Sequence, residues 1–107
     1  MSSQQAIVDA IVLAASGAGD VSARKMFGEF ALYCDGKLVA LICDDRLFVK
    51  PTEAGRALAG VVEDVPPYPG AKPSMLIPAE RWQDGAWLSD LISASARALP
   101  VPKRKPR

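Results

Sequence analysis

The stretch from Lys25 to Lys50 constrains the fold more than any other, because β-branched and aromatic residues fill it and two turn-forming pairs, Asp35-Gly36 and Asp44-Asp45, interrupt it. Asp-Gly is the stronger hairpin signal. A type I′ turn needs positive φ at both central positions, which these residues tolerate. A bend there sets Cys34 against Lys37, Leu32 against Val39 and Phe30 against Leu41. A second bend at Asp44-Asp45 sets Cys43 against Arg46, Ile42 against Leu47 and Leu41 against Phe48. In this register one face collects Phe30, Leu32, Val39, Leu41 and Phe48, and the other Ala31, Tyr33, Leu38, Ala40, Ile42, Leu47 and Val49. Both faces are apolar, so each needs a cover, either helices or a second copy of the chain.

Helical signals flank this meander. Ser2 with Gln5 forms a weak capping box, and Ile7, Ile11 and Ala14 recur at helical spacing with Val8, Val12 and Ala15 beside them, up to a stop at Ser16-Gly17. Gln5 and Asp9 should point outward. Thr52 can cap a short helix from Glu53 to about Ala59, ended by Gly60. Five prolines between Pro66 and Pro78 then impose an extended connection, within which Ser74–Ile77 reads as a strand. Asp84 offers an N-cap to a last helix whose Leu88, Leu91, Ile92, Ser95 and Leu99 follow one face, closed by Pro100. Trp82 and Trp87 read as packing anchors rather than a ligand cage. The expected fold is α+β and two-layered: an N-terminal helix, an antiparallel meander, a short helix, further short strands and a C-terminal helix. One domain, residues 1–99, accounts for nearly all of the 107 residues.

Composition limits the chemistry. The apolar fraction of 50% and charged fraction of 23% are those of a globular chain. The first basic residue is Arg24 and Asp9 interrupts the apolar run Ala6–Ala15, so no secretion signal is expected. No apolar run approaches the roughly 18–20 residues needed to span a bilayer. A cytoplasmic location without membrane contact is the expectation. The formal charge is +1, and Lys103, Arg104, Lys105 and Arg107 supply four positive charges in the last five residues, which leaves −3 for the remainder. Residues 100–107, "PVPKRKPR", read as a disordered basic tail, whose four cations could contact nucleic acid weakly and without sequence preference.

There is no histidine, and Cys34 and Cys43 lie roughly 20 Å apart along one hairpin at about 3.3 Å per residue, too far for a disulfide. Zinc, or any other cofactor, has no recognisable ligand set. Asp44 and Asp45 are turn formers in solvent, lacking the burial that tunes a general acid or base. For an enzyme the remaining candidates are Cys43 activated by Arg46 opposite it, or a carboxylate pair, but no recognisable base or oxyanion site accompanies the cysteine. The chain therefore reads as non-enzymatic.

The run "RKMFGEFALYCDGKLVALICDDRLFVK" (24–50), followed by "PYPGAKPSM" (67–75) and the capped last helix, resembles the N-terminal domain of the TfoX/Sxy family. Arg24, Met26, Phe27, Gly28, Tyr33, Asp35, Gly36, Asp44, Asp45, Arg46, Leu47 and Lys50 match its pattern, and Phe48 and Val49 stand where Tyr and Leu are usual. The resemblance implies an α+β fold similar to secretion-chaperone-like folds. It also implies a connection to regulators of natural competence, which resemble transcriptional co-regulators rather than enzymes. Full-length regulators of that kind carry a second, helical domain, and this chain stops where it would begin. The functional expectation is a small regulatory or protein-interaction domain, with a protein partner or homodimer contacted through the sheet surface or an edge strand.

Overall fold

In the computed structural model, which describes residues 5–26 and 29–99, the meander forms the centre of a wider sheet. Strands β1 (Val21–Met26), β2 (Glu29–Cys34), β3 (Lys37–Cys43), β4 (Arg46–Val49), β5 (Glu63–Val65) and β6 (Ser74–Ile77) pair antiparallel in the order β1-β2-β3-β4-β6-β5. The helices among the described residues are α1 (Gln5–Ala14), α2 (Glu53–Ala59), α3 (Ala79–Trp82) and α4 (Gly85–Ala98), with a 3-10 turn at Ser16–Ala18 after α1. This is the α+β arrangement expected. The strands begin at Val21 rather than Lys25, and β5 and α3 carried no signal that periodicity could detect, being three and four residues long. Ser2 and Pro100 lie outside the described residues.

Both bends fall where the sequence put them. Asp35 and Gly36 have φ of 52° and 83°, and Asp44 and Asp45 have 52° and 59°, the left-handed pair that a two-residue hairpin of right-twisted strands demands. The β3–β4 register is as expected, with Cys43 opposite Arg46, Ile42 opposite Leu47 and Leu41 opposite Phe48. The β2–β3 register is not. Cys34 faces Lys37 and Tyr33 faces Leu38, but pairing then skips Val39, so that Leu32 faces Ala40 and Phe30 faces Ile42. The expected Leu32–Val39 and Phe30–Leu41 pairs are displaced by one residue. The cause is a bulge, and one extra residue exchanges the faces of everything beyond it.

The face assignment changes accordingly. Phe30 and Leu32 share the inner face with Ile42, Leu47, Val49, Met75 and Ile77, and the bulge turns both Val39 and Ala40 into the same buried cluster. The outer face carries Ala31, Tyr33, Leu38, Leu41, Phe48 and Leu76. Helices α1 and α4 close the inner face. On α4, Leu88, Leu91, Ile92, Ser95 and Ala96 are buried at the i, i+3, i+4, i+7, i+8 spacing of a core-facing stripe. On α1, Val8 and Ile11 are buried, while the exposed Gln5 amide donates to the Asp9 carboxylate at 2.8 Å. Each fully buried Leu or Ile contributes roughly 1.5–3 kcal/mol relative to exposure.

The helix ends are tied to their surroundings. The Gly55 N–H donates to Thr52 Oγ1 at 2.9 Å and the Trp87 N–H to Asp84 Oδ1 at 3.1 Å, so both predicted N-caps form. Arg81 and Trp87 donate to the carbonyls of Ala59 (2.7 Å) and Leu58 (3.1 Å) at the end of α2, and the Trp82 indole donates to the Ile77 carbonyl at 3.2 Å. The tryptophans are anchors, as expected. Lys37, beside the first bend, donates to both the Ala96 and Leu99 carbonyls at 3.0 Å, placing a cation at the negative end of α4.

Helices α2 and α4 cross closely at Gly55, where an added Cβ would lie 2.5 Å from Ser95 Oγ and 2.8 Å from Thr52 Oγ1. The Ser95 hydroxyl is fully buried and has no hydrogen-bond partner among the described residues. Two opposite outcomes follow for urea denaturation. Gly55→Ala should destabilise by about 1–3 kcal/mol through overpacking, despite the ~0.5–1 kcal/mol helix preference of alanine. Ser95→Ala should stabilise by about 1 kcal/mol by removing an unsatisfied polar group, and the double variant should recover much of the Gly55→Ala loss because Ser95 Oγ is the closest clash.

Candidate interaction face

Among the described residues, the outer face is met by cationic side chains and by the segment from Pro67 to Ser74. The Arg46 guanidinium lies 5.1 Å from the centroid of the Phe48 ring, two residues along the same strand, and Arg24 lies 5.9 Å from that of Tyr33. Each contact is worth about 0.5–1 kcal/mol at an exposed site. Phe48 is only 1% exposed and Ala31 fully buried, whereas Tyr33, Leu38, Leu41 and Leu76 remain half-buried. The surface is apolar with a cationic cover.

At one end of this face is a groove of about 610 Å³, with the cross-strand pair Leu41 and Phe48 on the sheet side and the segment from Pro67 to Ser74 opposite. That segment turns at Tyr68–Ala71, where the Ala71 N–H donates to the Tyr68 carbonyl at 3.1 Å and Gly70 has φ of 86°. Proline second and a left-handed glycine third are the marks of a type II turn. Tyr68 is left 54% exposed. Lys50 and Lys72 also line the groove, as does Leu99 just beyond α4. The prolines imply a mostly extended connection here, and the Pro69-Gly70 dipeptide is the signal that locates its turn.

The residues singled out in the sequence serve separate ends. Arg24, Arg46 and Lys50 fall on the outer face. Asp35 and Gly36 form the first bend, and the Asp35 carboxylate accepts the Asp20 N–H at 2.8 Å, holding the β1 approach. Asp44 is exposed and Asp45 half-buried at the second bend, where the Asp44 N–H donates to Glu29 at 3.3 Å. Met26 ends β1. Phe27, Gly28 and the tail cations Lys103, Arg104, Lys105 and Arg107 lie outside the described residues.

Cys43 does sit opposite Arg46, yet the pairing does not activate it. Burial and then Glu29 push its thiol up to about 11, outweighing the opposing pull of Arg46. The Cys34 thiol is also raised, by burial first and then Asp35 and Asp20, and lies against the Ala18 carbonyl at 3.7 Å. Both cysteines are free and buried. Among the described residues no group of histidine, cysteine, aspartate and glutamate is placed to hold a metal ion, and no helix is long and apolar enough to cross a membrane.

Residues 13–99 match the model of the TfoX N-terminal domain. Over 83 residues the chain is 42% identical to an uncharacterized 12.7 kDa protein in the trpE 5′ region of Spirochaeta aurantia, a match covering 78% of this chain and 71% of that protein.

The raised Cys43 pKa has a sign that can be checked. The folded state holds the thiol proton more tightly than the unfolded chain, so this stabilisation is complete below about pH 9 and is lost as pH rises towards 11. In a Cys34→Ala background, thiolate absorbance of the folded protein should rise with a midpoint near pH 11 rather than about 8.5. The urea midpoint should decline over the same interval.

Proposed function

This chain belongs to the TfoX N-terminal domain family, a family of regulatory-type domains, and from that premise we propose that it is a non-enzymatic interaction domain that regulates by holding a partner protein against the outer face of its sheet. The observation that carries this reading is the unequal cover of the two faces. The inner face is sealed by α1 and α4, while the outer face keeps Tyr33, Leu38, Leu41 and Leu76 half-buried under cations and one loop. A contiguous apolar surface with a charged rim is the usual composition of a protein contact. The thiols are poor nucleophiles in this setting, which counts against the cysteine arrangement among the catalytic candidates. The setting we assign is transcriptional regulation in the cytoplasm, with residues 1–99 as one domain and 100–107 as a tail.

A second reading uses that tail. Its four cations, on a body of net −3, would bind nucleic acid through phosphates alone.

One set of measurements separates the two. Affinity capture from the native cell should recover a protein partner with the intact chain and with a version lacking residues 101–107, and lose it with Leu38→Asp, whose folding is confirmed by circular dichroism. Retention of the partner by Leu38→Asp would refute the outer-face reading. A DNA titration at two salt concentrations should show, at most, weak binding with a log–log slope near about −3.6 that disappears with the tail.

A further inference from the structure

We propose that the groove between β3–β4 and the Pro67–Ser74 segment is the docking site for an acidic stretch of the partner protein that carries one large aromatic or aliphatic anchor. This rests on the interaction-domain reading above and names the part of the face that reads the partner's chemistry.

Three observations converge on that occupant. Leu41 and Phe48 give the groove an apolar wall formed by two paired strands, so its width is fixed by the sheet. Across from it, prolines 67, 69 and 73 and the turn at Pro69-Gly70 restrict the opposite wall and present Tyr68 to solvent. A pocket already shaped in the free protein costs little ordering on binding, and an apolar side chain is what fills it. The third observation is charge. Lys50 and Lys72 line the groove, and among its described lining residues there is no carboxylate, although the chain without its last five residues carries −3. A cationic concavity on an otherwise acidic body attracts an acidic segment and orients it, while the surrounding negative surface discourages other approaches. Two ammonium groups are too few for a nucleic-acid backbone, which is held through a longer row of phosphate contacts.

The test is selection of a random short-peptide display library on the intact chain, followed by fluorescence anisotropy with the enriched peptides. Enrichment of acidic peptides with one Phe, Tyr, Leu or Ile is expected. Their affinity should fall about tenfold or more in the Lys50→Glu/Lys72→Glu variant, several-fold in the milder Lys50→Gln/Lys72→Gln variant, and about tenfold in Tyr68→Ala, with circular dichroism unchanged. Enrichment of neutral or basic peptides, no enrichment, or affinities within about twofold after lysine reversal would overturn the proposal. A dimer dispersed by the lysine reversal would assign the groove to a second copy. A tenfold gain in peptide affinity on removing residues 100–107 would assign it to the chain's own tail; either result also overturns the proposal. The two levels fail separately: if Leu38→Asp abolishes partner capture and the lysine reversal does not, the outer face stands as the interaction surface and the groove is not its reader.

Discussion

The unpaired residue at Val39 is the constraint on which the two-sided sheet depends. Without it, the register set by Asp35-Gly36 would place Phe30 and Leu32 beside Leu41 and Phe48. The helices would then face a different set of side chains. With it, Val39 and Ala40 both turn inward, Phe30 and Leu32 join Ile42 and Leu47 under α1 and α4, and Leu41 and Phe48 are left outside. The bulged residue also extends the ladder. Its carbonyl accepts the Lys50 N–H at 2.9 Å, fixing the backbone of a groove lysine by an ordinary sheet bond one residue past β4. A deviation in strand pairing thus sorts the apolar side chains between the two faces of the sheet.

Much of this fold was legible in the sequence wherever a residue type has one dominant local role. Aspartate and glycine at 35–36 and 44–45, Thr52 and Asp84 at helix starts and Gly60 at a helix end behaved as their backbone preferences dictate. The bulge was not legible, because Leu38, Val39 and Ala40 are all apolar and a one-residue slip leaves the pattern equally apolar on both faces. Strand β5, with sequence Glu-Asp-Val, has no strand pattern of its own and is recruited by pairing with β6. The groove escaped for a related reason: it is built from β3, β4, the 67–74 segment and Leu99, and no local spacing reports that these meet.

Charge on this molecule is used mostly to cover and to cap. Arg46 and Arg24 lie over rings, Arg81 lies 3.7 Å from the Trp87 ring centroid while holding the end of α2, and Lys37 holds the end of α4. Long cationic side chains suit this work, since their methylenes cover apolar surface while the charged head meets carbonyls, rings or water. The ion pair between Arg56 and Asp64 at 2.9 Å joins side chains that are 46% and 41% exposed, and such a pair adds little. Lys50 and Lys72 stand apart as cations lining an apolar hollow.

Leu99 has a consequence of position. Its carbonyl is clamped by Lys37 and the residue lines the groove, so Leu99 is held at the mouth of that hollow. A short flexible leash gives an attached motif an effective concentration of the order of millimolar, enough for a feeble ligand in cis to rival a stronger one arriving from solution. Leu99 is thereby a ready place to attach a test ligand whose length and charge can be varied, with no alteration to the sheet.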